Sequence, residues 1–326
     1  MAGLGGEAIF RDAPVPHTAP RAGYSLIDAA GGLVLVALRF LAFAATTGAL
    51  GAWVFAHLVV ARMPADTDGA RRSALQDFAV RVAVWCTTLI ALTSVARLVA
   101  AAVTMHTPGG NAPGAALDIL RTAWGAGLVA QGVAAAVAAG ALRVSRRAQA
   151  WPRLTNISVA ALAIVPPFLA HAGTAPTLRA VSVVVDLIHG AAAGGWVGTL
   201  GLLTATVLRE RRLSDGPARS ATLIAAFHPV ALIAAGAVFA TGLGTAWLRM
   251  GAPEGIAAPT YSGLFVAKLL LAGVVGAYGA GHAKLATRRG RAVDPRAVGR
   301  SLAAECVVAM LVLAVTAVLV GVAPIG

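Results

Sequence analysis

Charge is scarce in this chain. Asp, Glu, Lys and Arg make up 12% of its 326 residues, about half the share of an ordinary soluble domain. Acidic residues are the scarcer kind, 13 against 26 Lys and Arg, which leaves a formal net charge of +13. Such a balance would suit nucleic acid, but the arginines stand in short loops between apolar runs, where membrane topology places them. No nucleic-acid partner is therefore expected. Cysteine is nearly absent: Cys86 and Cys306 both lie inside apolar runs, so neither a disulfide framework nor a thiolate metal motif is visible. No P-loop, GxSxG elbow or HExxH motif occurs, and nothing points to nucleotide hydrolysis or a hydrolase. The chain reads as a non-enzyme.

Apolar residues fill the space that charge leaves. They make up 58% of the chain, with a mean hydropathy of +0.80, and occur in uninterrupted runs. About 20 such residues span a bilayer as a helix. The expected fold is an all-α, polytopic transmembrane helix bundle of about eight spans, near 33–60, 78–104, 117–142, 155–173, 179–207, 220–247, 261–283 and 300–322. Residues 1–30, with Pro14, Pro16 and Pro20 and no apolar centre of a signal peptide, read as a flexible polar tail before a bundle at 31–326. Arg62, Arg71, Arg72, Arg146, Arg147, Arg211, Arg212, Arg288 and Arg289 fall in the loops after spans one, three, five and seven. Positive loops stay in the cytoplasm, so both termini are expected outside. Glycines in spans five to seven suit close helix packing. Pro166-Pro167 is expected to kink span four.

Ionisable groups within lipid are expensive and usually face a protein interior, so depth sorts the rest. His171 ends span four at the outer face. Span five then runs inward, with Asp186 roughly 10 Å and His189 roughly 15 Å along it at 1.5 Å per residue. The i, i+3 spacing puts Asp186 and His189 on one face, and Trp196 continues it. Met105 and His106 close span two at the same face, and Met250 ends span six there. Imidazole and thioether together suit copper, so His171, Asp186, His189, His106 and Met105 form the candidate metal set. A structural Asp–His hydrogen bond competes with that reading, as does neutralisation of Asp186 by Arg39 or Arg97. Toward the cytoplasm stand His57, Cys86, His228, His282, Glu305 and Cys306. Of these, Cys86, His228 and Cys306 are a candidate inner site for a soft ion, although cysteine is also a common buried hydrophobe.

Several of these stretches form an ordered set. His171-Ala-Gly, Asp186-Leu-Ile-His189 and Gly194-Gly-Trp196-Val-Gly198 stand beside Arg39-Phe40, Gly48 and Gly51, Trp124-Gly125 and Phe227-His228-Pro229. Thr241-Gly242, Thr260-Tyr261-Ser262-Gly263 with Lys268, Glu305 and Pro324 complete it. The set resembles the CopD/PcoD copper-resistance membrane family from about Leu33 onward. His228 and Ser262 stand where that family usually has Ser and Gly, and Thr199 replaces a glycine after Trp196 and Gly198.

The resemblance implies an inner-membrane protein of bacterial copper homeostasis, with copper ion as its cargo. It also implies a separate periplasmic CopC-type copper-binding protein as a possible partner. The leading expectation is a copper permease. One alternative is a membrane redox protein holding b-type haem between paired imidazoles, His189 with His228 or His57 with His282. Another is a non-transporting subunit that delivers copper or assists assembly.

Overall fold

The computed structural model describes residues 26–105, 112–145, 153–169, 179–250, 259–287 and 295–321. Among these residues the structure is helical, without strands. Helix α1 (Leu26–Val54) continues through a π turn (Phe55–Val59) and a 3-10 turn (Val60–Arg62). There follow α2 (Gly69–Met105), α3 (Ala112–Leu120), α4 (Ala123–Ser145) and α5 (Arg153–Leu169). The chain is completed by α6 (Arg179–Glu210), α7 (Gly216–Met250), α8 (Pro259–Thr287) and α9 (Pro295–Leu319). Seven of the described helices are long and apolar enough to cross a membrane, and the chain is a multi-pass membrane protein. Helix α5, with 17 residues, spans about 26 Å and is the short one; it runs through Pro166 and Pro167 to Leu169. The stretch read as one third span is broken at Arg121 and Thr122. There Thr122 Oγ1 accepts the Gly125 amide at 3.0 Å and so caps the start of α4.

Helices α1 and α6 stand at the centre: α1 packs on α2, α6 and α9, and α6 packs on α1, α7, α5 and α9. Lipid gives helices no hydrophobic reason to associate, so close backbone approach through small residues has to supply contact. Gly51 and Gly198 do this. A methyl added to either would run into the other helix's backbone, and Thr199 Oγ1 donates to the Gly51 carbonyl at 3.1 Å. The largest buried cluster, including Phe55, Val59, Leu200, Leu203, Leu223 and Leu302, lies toward the arginine-rich end. Trp85, Leu92, Leu243 and Leu270 point outward, as a lipid-facing surface requires.

The arginine-rich end is tied by charge. Arg71 at the start of α2 makes two 2.9 Å hydrogen bonds to the two carboxylate oxygens of Glu210 at the end of α6. It donates a third, also 2.9 Å, to the Arg219 carbonyl on α7. Arg219 in turn holds Asp215 at 2.6 Å, and that hydrogen bond keeps the Asp215 carboxyl below its usual pKa.

Candidate functional site

The seam between α6 and α7 carries the polar groups. Asp186 and His189 share one face of α6, as their spacing demands, and both meet α7. Asp186 Oδ1 accepts from Thr245 Oγ1 at 3.2 Å. His189 Nδ1 lies 3.2 Å from the Val238 carbonyl and 3.1 Å from Thr241 Oγ1. A backbone carbonyl only accepts, so Nδ1 carries a proton and donates it. Thr241 is free to accept because its own hydroxyl donates down the helix to Ala237. Gly242 makes room: a methyl there would stand 3.3 Å from His189 Cε1, tighter than an ordinary contact. Thr241 and Thr245 are one turn apart on α7, so one face of that helix receives one face of α6.

The other members of the candidate set distribute as follows. Met105 is the last residue of α2; its side chain, His106 and His171 lie outside the described residues, as does the side chain of Met250. No salt bridge links Asp186 to Arg39 or Arg97 among the described residues. Trp196 is buried in the main apolar cluster. Cys86, at the middle of α2, packs with Ala45, Ala49, Ile90 and Leu162. Cys306 sits in the other cluster, its sulfur 3.2 Å from Thr204 Oγ1. His228 is half-buried on α7. Cys86, His228 and Cys306 are not brought together: no group of three or more His, Cys, Asp or Glu able to hold a metal exists among the described residues.

His57 lies in the π turn that ends the first span. Its ring stacks on Trp53, with centroids 4.7 Å apart, and its Nδ1 faces the Trp53 carbonyl at 2.9 Å. Trp53 Nε1 donates to Asn156 on α5 at 3.0 Å. The His189–His228 haem pair fails on distance. His189 is fixed beside Thr241, and His228 lies more than three turns back along α7, about 20 Å at 1.5 Å per residue. The side chain of His282, the partner suggested for His57, lies outside the described residues.

Thr245 was not legible as a site residue. It lies four residues after Thr241 on the same helix, but its pairing with Asp186 depends on how α7 meets α6. Among known protein families, the model described as copper resistance protein D matches residues 221–319. This bears out the family resemblance over that stretch. The matched stretch includes Thr241, Gly242, Thr245, Glu305 and Cys306 and begins after Asp186 and His189. Neither the curated proteins nor the solved structures compared yield a match.

Proposed function

We propose that this chain, a membrane protein related to copper resistance through residues 221–319, is a copper-ion permease of a bacterial plasma membrane and not an enzyme. The observation that carries the reading is the pairing of Asp186 and His189 with Thr245 and Thr241 across the α6–α7 seam. A carboxylate supplies charge against the cation, and an imidazole suits copper. Thr241 and the Val238 carbonyl play the orienting part that a metal-binding imidazole needs at its other nitrogen. In this reading His171, His106 and Met105 receive the ion at the end of the bundle away from the arginines. Asp186 and His189 then pass it inward, in a site weak enough to release it. A separate periplasmic CopC-type protein is the proposed donor. Cys86, His228 and Cys306 gain no support as an inner metal site from their separate positions.

The test is copper uptake into vesicles that contain this chain alone, with elemental analysis and an absorption spectrum on the same protein. Uptake that His189→Ala abolishes, with normal protein abundance, is the expected result. Copper retained by the wild type without uptake would favour the delivery subunit instead. A haem absorption band would overturn both.

A further inference from the structure

A groove of about 620 Å³ opens at the arginine-rich end of the bundle, between the end of the first span and the first half of α7. Ligand clefts usually hold about 300–1,000 Å³. Arg62 and Pro64 form one wall, and Ala221, Thr222, Ala225, Ala226 and Pro229 form the other. Ala221, Ala225 and Pro229 follow at four-residue steps and are exposed, so they share one side of α7. Their small side chains leave the trench. It runs about 12 Å along the helix from Ala221 to Pro229. Just beyond, Leu232 and Ile233 stand out from α7, 58% and 73% exposed.

The two ends of the groove differ in chemistry. Arg62 is its charged wall residue, and no carboxylate stands among its described lining residues. Arg62 Nη1 donates to the Leu58 carbonyl one turn back, at 2.8 Å, and the side chain makes no salt bridge among the described residues. Behind that wall Arg72 Nη2 donates to the Met63 carbonyl at 2.7 Å and to the Pro64 carbonyl. A second guanidinium therefore holds the wall in place and adds positive charge to it. Asp66 and Asp68 follow in the same loop but do not line the groove; Asp68 Oδ1 accepts the Ala70 amide at 3.0 Å, at the start of α2. Depth completes the picture. Arg62 closes the apolar length Gly32–Arg62 of the first span, where headgroups lie, and Pro229 stands near the middle of the span Gly216–Ala246. The mouth is thus basic at headgroup level, and an apolar floor leads from it toward the bilayer centre.

We propose that this groove holds one anionic phospholipid of the leaflet at the arginine-rich end. Its phosphate meets Arg62, and one acyl chain lies along Ala221, Ala225 and Pro229. A guanidinium fork matches phosphate oxygens through paired hydrogen bonds, and basic groups at the membrane surface attract anionic lipid. Arg72 behind the wall disfavours a headgroup that carries its own ammonium. The bound lipid ties the end of the first span to α7. The site involves neither Asp186 nor His189 and is independent of copper.

The full chain, purified in detergent, is titrated with phosphatidylglycerol or phosphatidylethanolamine and read by native mass spectrometry, which counts bound lipids and chain copies together. Ala225→Leu fills the floor and leaves the cation; Arg62→Gln removes the charge and leaves the floor. Both positions are exposed, and thermal unfolding checks that each variant folds. Arg212→Gln, at an exposed arginine of the same end that does not line the groove, is the control. The expected result is one phosphatidylglycerol per chain, held more firmly than phosphatidylethanolamine. Its affinity should fall about tenfold in Arg62→Gln, the size of losing one charge-assisted hydrogen bond, fall also in Ala225→Leu, and stay unchanged in the control. Phosphatidylglycerol affinity that neither variant lowers would overturn the site. Equal retention of both lipids, insensitive to Arg62→Gln, would overturn the headgroup contact on which the proposal stands. A dimer that Ala225→Leu abolishes would put a second copy of the chain in the groove in place of the lipid.

Discussion

Thr245 donates a hydrogen bond to Asp186 across the seam between α7 and α6, at 3.2 Å. The bond fixes one carboxylate oxygen and so sets which way the Asp186 charge faces. Thr245→Val keeps the side chain's volume and removes the hydroxyl. Copper affinity should fall about 10–100-fold, the usual loss when a group orienting a metal ligand is removed, while thermal unfolding in detergent shifts little. Copper titration of the purified variant checks this, and unchanged affinity would mean that Asp186 does not hold the ion.

The backbones of Gly51 and Gly198 touch, and the approach leaves no room for a methyl. Gly198→Ala should therefore separate α1 from α6 and destabilise the protein by about 1–3 kcal/mol, as overpacking does. Gly201→Ala is the matched control, because a methyl there meets nothing within 4 Å. It should be neutral or slightly stabilising through helix propensity. Thermal unfolding of both variants in the same detergent gives the comparison, and equal melting temperatures would refute the packing argument.

The Arg71–Glu210 pair has side-chain exposures of 8% and 11%, so removing either partner strands a buried charge. Glu210→Gln and Arg71→Met should each cost about 3–5 kcal/mol, and the double variant should recover much of that loss. A double-mutant cycle read by thermal unfolding tests the coupling; strictly additive losses would show that the two residues act separately.

Cysteine labelling checks the orientation. With Cys86 and Cys306 replaced by alanine, a single cysteine at Ser214, beside Arg211 and Arg212, should resist an impermeant maleimide in intact cells. One at the exposed Asp118, at the opposite end of the bundle, should react. The reverse pattern would invert the topology read from the arginines.

The spans were legible because lipid demands a long apolar run wherever a helix crosses, whatever its neighbours. Breaks inside a span are a finer signal. The Arg121-Thr122 step between α3 and α4 carries a capping threonine that a count of apolar residues passes over, and nothing in Phe55–Val59 announces its π turn. The shared face of Asp186 and His189 was legible from spacing alone. Which helix that face meets was not. Cys86 and Cys306 are both buried in spans, yet one packs into the Ala45–Ile90 cluster and the other into the main one. Which helix faces which is set by packing, and that also hid the pairing of Asp186 with Thr245.

Asp186 separates a transport role from a structural one. Had Arg39 or Arg97 been its counter-charge, Asp186→Asn would strand a buried cation and protein level would collapse, a loss of about 3–5 kcal/mol for a broken buried pair. The structure shows no such pair among the described residues. Asn keeps the carbonyl oxygen that Thr245 needs as acceptor, so the hydrogen bond across the seam can survive. If the carboxylate serves copper, membrane abundance of Asp186→Asn should stay near the wild-type level, while copper flux falls because the cation loses its carboxylate. Copper accumulation and membrane abundance measured on the same cells report both quantities. Low abundance would restore an ion pair for Asp186. Normal flux with normal abundance would remove Asp186 from the copper path and leave its bond to Thr245 as helix packing alone.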